Sequence, residues 1–529
     1  MAVIGTAPDE EVRLLPPMLP INLIPRRESY HCRPRAEASS AQSEASSSAS
    51  SSTSQLSSSY TSSNSGSSNR ALLTMPKIGS IPLKIGMGGT IYFGAAPCKA
   101  VALWPFGGRL RAPLDTPKVS KRILIMMSNT GGGHKASADA IKAAFQEKYG
   151  DDYDVLIEDI WKDHTPAPFN RVPDTYSFMV RHAFLWWFSY VVMQPRWVHS
   201  PYLRLVHSLV SKRLNTAFNE LRPDLVVSVH PLMQHVPIRV MKSRIRSGLS
   251  QPINFATVVT DFTTCHNTWF HPEATRCFVP TEYCKQLAVQ NGLKEPQIVL
   301  HGLPIRPIFS KPLPTKKMMK KALGLNTSLP AILLVGGGEG MGKLEDTVDQ
   351  IAEKLGSSCQ VVVVCGRNKR LLQRLSEKRY TSGMPVTATG FIDNIHEYMH
   401  ASDAIITKAG PGTIAEALIS GLPILLNGNV PCQEEGNIPY VVENGVGAFE
   451  TRPPKIANIL ASWLSPLERE EFVLKAERSK ALGRPEAVYK IVQDLATLAH
   501  VPDFQWGTAK AAVEAGRVPQ PTIATSVSC

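Results

Sequence analysis

The chain has little of what most quickly assigns a protein to a class. Its nine cysteines are scattered over 529 residues, odd in number and without a Cys-x-x-Cys pair. That excludes a disulfide framework and a zinc ribbon and fits a reducing compartment. The beginning of the chain has no signal-peptide apolar core, and no window reaches the roughly twenty apolar residues that span a bilayer. From Ala45 to Leu114 there is no Asp or Glu at all, while Arg70, Lys77, Lys84, Lys99, Arg109 and Arg111 occur, and Ser39–Ser68 is more than half serine. Such a stretch cannot bury enough apolar surface to offset its ordering entropy. Serine-rich, acid-poor and basic is the composition of an organelle transit peptide, although Asp9, Glu10 and Glu11 run against it. Residues 1–117 are accordingly expected to be a plastid transit peptide with a disordered linker, and residues 501–529 a tail.

What is present begins with charge and core. The formal net charge is +13, which favours anionic partners, although much of it lies in the leader and gives no separate case for nucleic acid. At 43% hydrophobic the chain can bury a large core, enough for two domains. From Lys121 onward apolar strands alternate with amphipathic helical patterns. The first series is Arg122–Met127, Tyr153–Glu158, Leu225–His230, Asn254–Thr260 and Arg276–Val279. The second is Ala331–Val335, Gln360–Cys365, Val386–Thr389, Ala404–Thr407 and Pro423–Leu426. Runs apolar almost throughout suit parallel strands covered on both faces. The expected fold is α/β, with two doubly wound Rossmann-like domains, residues 118–305 and 306–500, facing across a cleft at the carboxyl ends of their strands. The second is expected to end in a closing helix.

Both series open on glycine. "ILIMMSNTGGGHKA" leads to Gly132, Gly133 and His134, and "AILLVGGGEGMG" to Gly337, Gly338, Glu339, Gly340 and Met341. The second loop imitates a P-loop as far as Lys343, but Leu344 stands where a magnesium-binding hydroxyl belongs. No acidic strand end follows to hold magnesium or a dinucleotide ribose. What remains is backbone N–H groups and a helix start aimed at a phosphate, or a tight turn without ligand.

Further motifs follow in order. "TKAGPGTIAEALISGLPILL" (Thr407–Leu426) sets a Gly-Pro-Gly turn before a helix carrying Glu416, a carboxylate placed to accept ribose hydroxyls. "NVPCQEEGN" (Asn429–Asn437) is a polar loop of amides and carboxylates, as sugar hydroxyls require. Phe391 stands after a strand, where it either stacks on a base or joins the core. Asp152-Tyr153-Asp154 is a literal DxD, but at the strand start remote from the cleft, and reads as solvated surface. His230 and His235 lack a carboxylate partner for a metal, and His230 more plausibly lines the acceptor site.

One segment bears on membranes. "RHAFLWWFSYVVMQPRW" (Arg181–Trp197) is dense in aromatics between arginines, with an apolar core of about a dozen residues, too short to cross a bilayer. It is either an interfacial anchor or a buried core helix. Arg239, Lys242, Arg244 and Arg246 form either a lipid-binding basic face or a solvated one.

The succession GGGH, GGGEGMG, GF, GPGTIAEAL…GLP and QEEGN, over roughly Val119 to Ala499, resembles GT-B glycosyltransferases of the group containing the lipid-linked N-acetylglucosaminyltransferase of peptidoglycan synthesis. Within it the chain is similar to the plant monogalactosyldiacylglycerol synthases, those with a plastid-targeting leader. The resemblance implies inverting transfer of galactose from UDP-galactose to 1,2-diacylglycerol, at the chloroplast inner envelope, by a monotopic enzyme. A UDP-glucose:diacylglycerol glucosyltransferase and, more remotely, a soluble nucleotide-sugar epimerase are the alternatives. The resemblance sets the UDP phosphates on Gly337–Met341 with Arg306 nearby and at the helix start Gly412, Thr413, Ile414 and Ala415. It sets uracil by Phe391, ribose on Glu416, and galactose on Gln433 and Glu434, with Glu435 a rival for the sugar. His134, at the lip of the cleft, becomes the base, kept neutral by the helix N-terminus beneath it, with Asp261 assisting. Gly132, Gly133, Pro168, Trp186, Trp187, His230 and Arg239 line the lipid acceptor. No metal and no cofactor are required, although magnesium stimulation is compatible with this reading. Diacylglycerol and the anionic phospholipids phosphatidic acid and phosphatidylglycerol are the implied partners, nucleic acid is not, and a homodimer is compatible.

Overall fold

The computed structural model describes residues 120–500 apart from 129–131, 339 and 341, together with two short strands in the preceding unit. Those strands, β1 (Leu83–Ile85) and β2 (Gly89–Ile91), pair antiparallel. The expected leader and tail otherwise lie outside the described residues.

Two six-stranded sheets, each parallel throughout, organise the rest. The first contains β3 (Lys121–Met127), β4 (Tyr153–Asp159), β5 (Leu225–Ser228), β6 (Asn254–Val258), β7 (Arg276–Val279) and β8 (Ile298–Leu300), in the order β4-β3-β5-β6-β7-β8. The second contains β9 (Ala331–Val335), β10 (Gln360–Val364), β11 (Val386–Thr389), β12 (Ala404–Thr407), β13 (Ile424–Leu426) and β14 (Gly447–Phe449), in the order β11-β10-β9-β12-β13-β14. The ten strands expected from the apolar runs are all there. The two extra ones, β8 and β14, are three-residue edge strands, too short for a pattern to reveal. Parallel pairing puts all carboxyl ends of a sheet on one side. The order reverses between β3 and β5 and between β9 and β12, where crevices open.

Burial explains the apolar runs. Ile123, Leu124, Ile125 and Met126 are at most 1% exposed, because helices cover both faces of the sheet. The helix Gly132–Tyr149 turns Ala138, Ile141, Ala144 and Phe145 to that core at helical spacing. The final helix, Ala487–His500, was expected to close the second domain. Its stripe Val488, Ile491, Val492, Leu495 and Ala499 instead completes the core of the first sheet, beside Ile123 and Phe145. The chain therefore crosses between domains twice, and the crossings touch: a Cβ on Gly302 (φ +114°) would lie 2.9 Å from Arg484 Cβ. Asp154 of the DxD sits at the amino end of β4 in an ion pair with Arg122 at 2.9 Å. Among the described residues no helix is long and apolar enough to cross a membrane.

Candidate functional site

The carboxyl ends of β3, β5 and β6 bring His134, His230 and the Thr260–Asp261 pair together. His134 is the third residue of the helix Gly132–Tyr149 and is buried, so it forms the floor of this group rather than the lip expected from the sequence. Its ring meets His230 edge-on at 4.6 Å and lies 6.0 Å from Trp269. Burial pushes its pKa down to about 4, against the opposing effect of a bond to the Val229 carbonyl. The ring is thus neutral near pH 7, and desolvation rather than the helix N-terminus is the main cause. Its Nδ1 is 2.7 Å from Thr260 Oγ1, whose own proton is directed at the Val229 carbonyl 3.4 Å away. A carbonyl only accepts, so the ring proton belongs on Nδ1 and the Nε2 lone pair is left to accept.

Asp261 is held by the Trp269 indole, which donates from Nε1 to Oδ2 at 2.6 Å, and by Gln433 Nε2 at 3.5 Å from Oδ1. Burial raises its pKa to about 6, assisted by the Glu434 charge and opposed by those two donors. Trp269 therefore connects His134 to Asp261, a role that nothing in its local sequence signalled.

On the other sheet, the turn after β9 needs its glycines. Gly337 and Gly340 have φ of +68° and +63°, and a Cβ on Gly340 would lie 2.2 Å from the Cys365 carbonyl oxygen. Gly340 N donates to Gly337 O at 3.2 Å, and Arg367 N to Gly338 O at 2.9 Å, locking this turn to the one after β10. Glu339 and Met341 lie outside the described residues. Phe391 is 61% exposed, with the Arg367 guanidinium 5.7 Å over its ring, so it is no core aromatic.

The helix Pro411–Ile419 starts on Gly410. Gly412 faces open space, whereas the side chains of Ile414 and Ala415 are buried, leaving only their backbone to a ligand. Thr413 is half-buried on the first turn. Glu416 is paired with Arg306 at 2.9 Å, and Arg306 also donates to Asp393 O at 3.1 Å. Burial holds the Glu416 carboxyl above the usual range, with Arg306 opposing. The residue expected at the phosphates and the one expected at the ribose thus hold each other.

The same happens in the Asn429–Asn437 loop. Glu434 is buried, ion-paired with Lys408, and accepts from Val430 N at 2.8 Å. Gln433 accepts from the Tyr176 hydroxyl at 3.1 Å besides facing Asp261, so it links the two halves. Thr263 Oγ1 donates to Asn437 Oδ1 at 2.7 Å across the same seam. Lys408 and Tyr176 were missed by sequence reasoning. Lys408 was visible inside TKAGPG, but a lysine before a glycine turn carries no signal until its partner is known.

The aromatic segment is split between two faces. It spans the end of the helix Val172–Arg181, the helix Ala183–Val192 and the start of Arg196–Leu221. Trp186 Nε1 donates to Pro431 O at 2.9 Å, Tyr176 meets its ring edge-on at 5.2 Å, and Tyr190 OH donates to Thr264 O at 3.3 Å. Phe184, Leu185, Trp187, Phe188, Val191 and Val192 face solvent, Phe184 at 63% exposure, and Tyr202, Leu205 and Leu209 of the next helix are exposed as well. The core-helix alternative is thereby excluded. Pro168 is exposed on the connection leading into this segment.

The basic face does not survive. Arg244 is buried and donates to Asn215 O at 3.1 Å and Asn219 Oδ1 at 2.8 Å, and Lys242 pairs with Glu273. Arg239 is half-buried among Arg204, Glu273, His235 and His271. Only Arg246 of the four stands exposed, because the helix His235–Arg246 turns its other cations inward. Among the described residues no group of three or more His, Cys, Asp or Glu is arranged to hold a metal ion.

Comparison with known proteins adds the family. A family model described as monogalactosyldiacylglycerol (MGDG) synthase matches residues 134–305, and one described as glycosyltransferase family 28 C-terminal domain matches residues 331–437. The probable monogalactosyldiacylglycerol synthase, chloroplastic, of Nicotiana tabacum is 46% identical over 391 residues, 73% of this chain and 72% of that protein. Monogalactosyldiacylglycerol synthase 1, chloroplastic, of Arabidopsis thaliana is 47% identical over 381 residues, 71% of this chain and 70% of that one. Among solved structures, MurG of Acinetobacter baumannii aligns with 71% of this chain and 99% of its own, at 13% identity and a TM-score of 0.48.

Proposed function

The chain belongs to the monogalactosyldiacylglycerol synthase family, and on that premise we propose how its cleft carries galactose from UDP-galactose to 1,2-diacylglycerol. It is a galactosyltransferase acting on diacylglycerol, and family membership favours neither the glucosyl alternative nor an epimerase. The observation that carries the mechanism is the seam at Gln433, where the donor-side loop meets Asp261 and, through Trp269, His134. In that seam the acceptor hydroxyl attacks the anomeric carbon as the bond to the UDP oxygen breaks, in one inverting step. The leaving electron pair goes to the diphosphate, and the hydroxyl proton goes to His134 Nε2. Asp261, ionised above about 6, offsets the charge that forms on the imidazole.

Gly337, Gly338 and the helix start at Gly412 present N–H groups to the diphosphate from a turn that Gly340 closes, Phe391 offers an exposed ring to uracil, and Glu416 serves the ribose. His134, His230, Trp186 and Pro168 border the acceptor path. The outward aromatics, Trp187 among them, rest on the lipid surface, and the exposed Arg204, Lys212 and Arg213 of the helix that follows draw anionic phospholipids. The displacement requires no metal ion, and magnesium stimulation is compatible with it. The relatives are named chloroplastic, and the chain acts in the chloroplast; peripheral attachment to the inner envelope is the finer proposal, supported by the outward apolar face and the serine-rich leader.

The test is UDP release by the full chain on diacylglycerol vesicles, with UDP-galactose or UDP-glucose, with and without chelator. Lipid-dependent release with UDP-galactose that withstands chelation is expected. Release that ignores lipid would overturn the acceptor assignment. Turnover abolished by chelator and restored by magnesium would overturn the metal-free step.

A further inference from the structure

We infer that Lys408 receives the donor's diphosphate, and that Glu434 stands in for that anion until UDP-galactose arrives. This rests on the galactosyltransferase reading above and names the exchange that opens the donor site. Lys408 is the first residue beyond β12, at the carboxyl end of the strand beside β9, where the second sheet reverses order. Its Cε lies 3.9 Å from where a Cβ on Gly337 would stand, and its Nζ 3.2 Å from the same point on Gly410. The ammonium thus fills space that two glycines leave free, between the turn after β9 and the start of the helix Pro411–Ile419. That space is bordered by backbone that favours anions. The anion now in it is Glu434, whose Oε1 lies 3.7 Å from the Gly410 Cβ point.

Glu434 is placed for exchange. Its side chain is 7% exposed, and a carboxylate so buried must be paired. One oxygen takes Lys408 and the other the Val430 N–H at 2.8 Å. The loop that holds it turns at Cys432, a non-glycine residue at φ +64°, and next to it Gln433 reaches the Tyr176 hydroxyl and Asp261. When a diphosphate enters, Lys408 trades one carboxylate for phosphate oxygens, so no charge is left uncompensated at the ammonium. Glu434 keeps the Val430 N–H and gains galactose hydroxyls, which are donors and need an acceptor. UDP alone frees the carboxylate without supplying hydroxyls, so the sugar nucleotide is preferred over UDP. Arg306 and Glu416 repeat the arrangement at the other end of the nucleotide, a second cation held by the carboxylate expected to take hydroxyls.

Calorimetric binding of uridine, UDP and UDP-galactose to the full chain and to Lys408→Met, Lys408→Arg and Glu434→Gln tests the exchange. Lys408→Met should weaken UDP by ~10-fold or more, the scale of one charge-assisted contact, and leave uridine unchanged. Lys408→Arg should recover most of the loss. Glu434→Gln removes the competing anion and should tighten UDP while erasing the preference for UDP-galactose over UDP. Unchanged UDP affinity in Lys408→Met overturns the proposal. So does UDP affinity in Glu434→Gln that is no tighter than in the native chain, a measurement that stands even if the lysine variants fail to fold. A native chain that binds neither UDP nor UDP-galactose would instead overturn the galactosyltransferase reading itself.

Discussion

The two sheet ends that meet in the cleft solve their problems by opposite means. The second sheet presents formal charge, Arg306 with Glu416 and Lys408 with Glu434, at turns opened by glycine. The first presents groups whose charge burial opposes: His134 at about 4 and His230 well below its ordinary value, both neutral near pH 7, and Asp261, which ionises only above about 6. The difference follows the ligands. A nucleotide diphosphate brings charge that must be matched, while a diglyceride brings one hydroxyl on an apolar body, and its proton is best taken where water is excluded.

If that division is real, removing the base should hurt turnover and spare donor binding. His134→Ala is expected to lower kcat by ~10²–10⁴-fold with UDP affinity unchanged, measured by UDP release and calorimetry on the same preparation. A comparable loss of UDP affinity would show that the halves cannot be separated. The reciprocal change is Gly340→Ala, which combines a strained φ with a contact no backbone can tolerate. UDP binding should fall steeply there, while vesicle binding by the first half remains.

The helix Ala183–Val192 belongs to the first half yet touches both, which allows a finer cut. Replacing Phe184, Trp187 and Phe188 by serine removes outward side chains, each contributing about 1.5–3 kcal/mol when buried in lipid. Vesicle co-sedimentation should drop and the melting temperature should hold, since nothing inside is vacated. Trp186→Phe should do the reverse. It loses the bond to Pro431 O, worth ~1 kcal/mol, and should slow turnover without affecting vesicle binding. Vesicle binding that survives the triple serine change would remove this face as the anchor.

The comparison also explains what the sequence disclosed. Glycine turns and a Gly-Pro-Gly helix start are local devices, set by φ and close backbone approach, so these turns were legible in the sequence. Ten of the twelve strands of the two sheets were readable because parallel strands buried on both faces leave continuous apolar runs. What stayed hidden depends on partners far along the chain. Trp269 matters because folding lays it against Asp261 and His134, and Lys408 because Glu434 returns to it from the next loop. The basic face on His235–Arg246 failed for the same reason: asparagines of another helix and Glu273 claim its cations. The aromatic segment was legible in composition but not in orientation, since periodicity cannot say which side of a helix meets a second domain.

The smallest expected effect concerns acid, and it too should separate the halves. In the first half His134, His266 and His271 are each lowered to about 4, and His235 lies well below its ordinary value, with burial the leading cause each time. A histidine whose folded pKa lies below its unfolded value of 6.5 binds its proton more readily when unfolded. Stability is therefore whole above 6.5 and drains as pH falls toward 4. Asp261 works in the other direction. Raised to about 6 from 3.8, it burdens the fold above 6 and relieves it on protonation, but it is one group against several. In the second half, Glu450 and Glu471 are held near 2 by arginine and lysine partners, yet they lie at the surface rather than in the core, so their acid response falls below the histidine window and is screened by solvent. Hydrogen exchange on the full chain at pH 7.5 and pH 5 should show β3, β5 and β6 losing protection in acid before β9, β10 and β12. Equal loss in the two sheets would mean that the buried histidines are not what separates them.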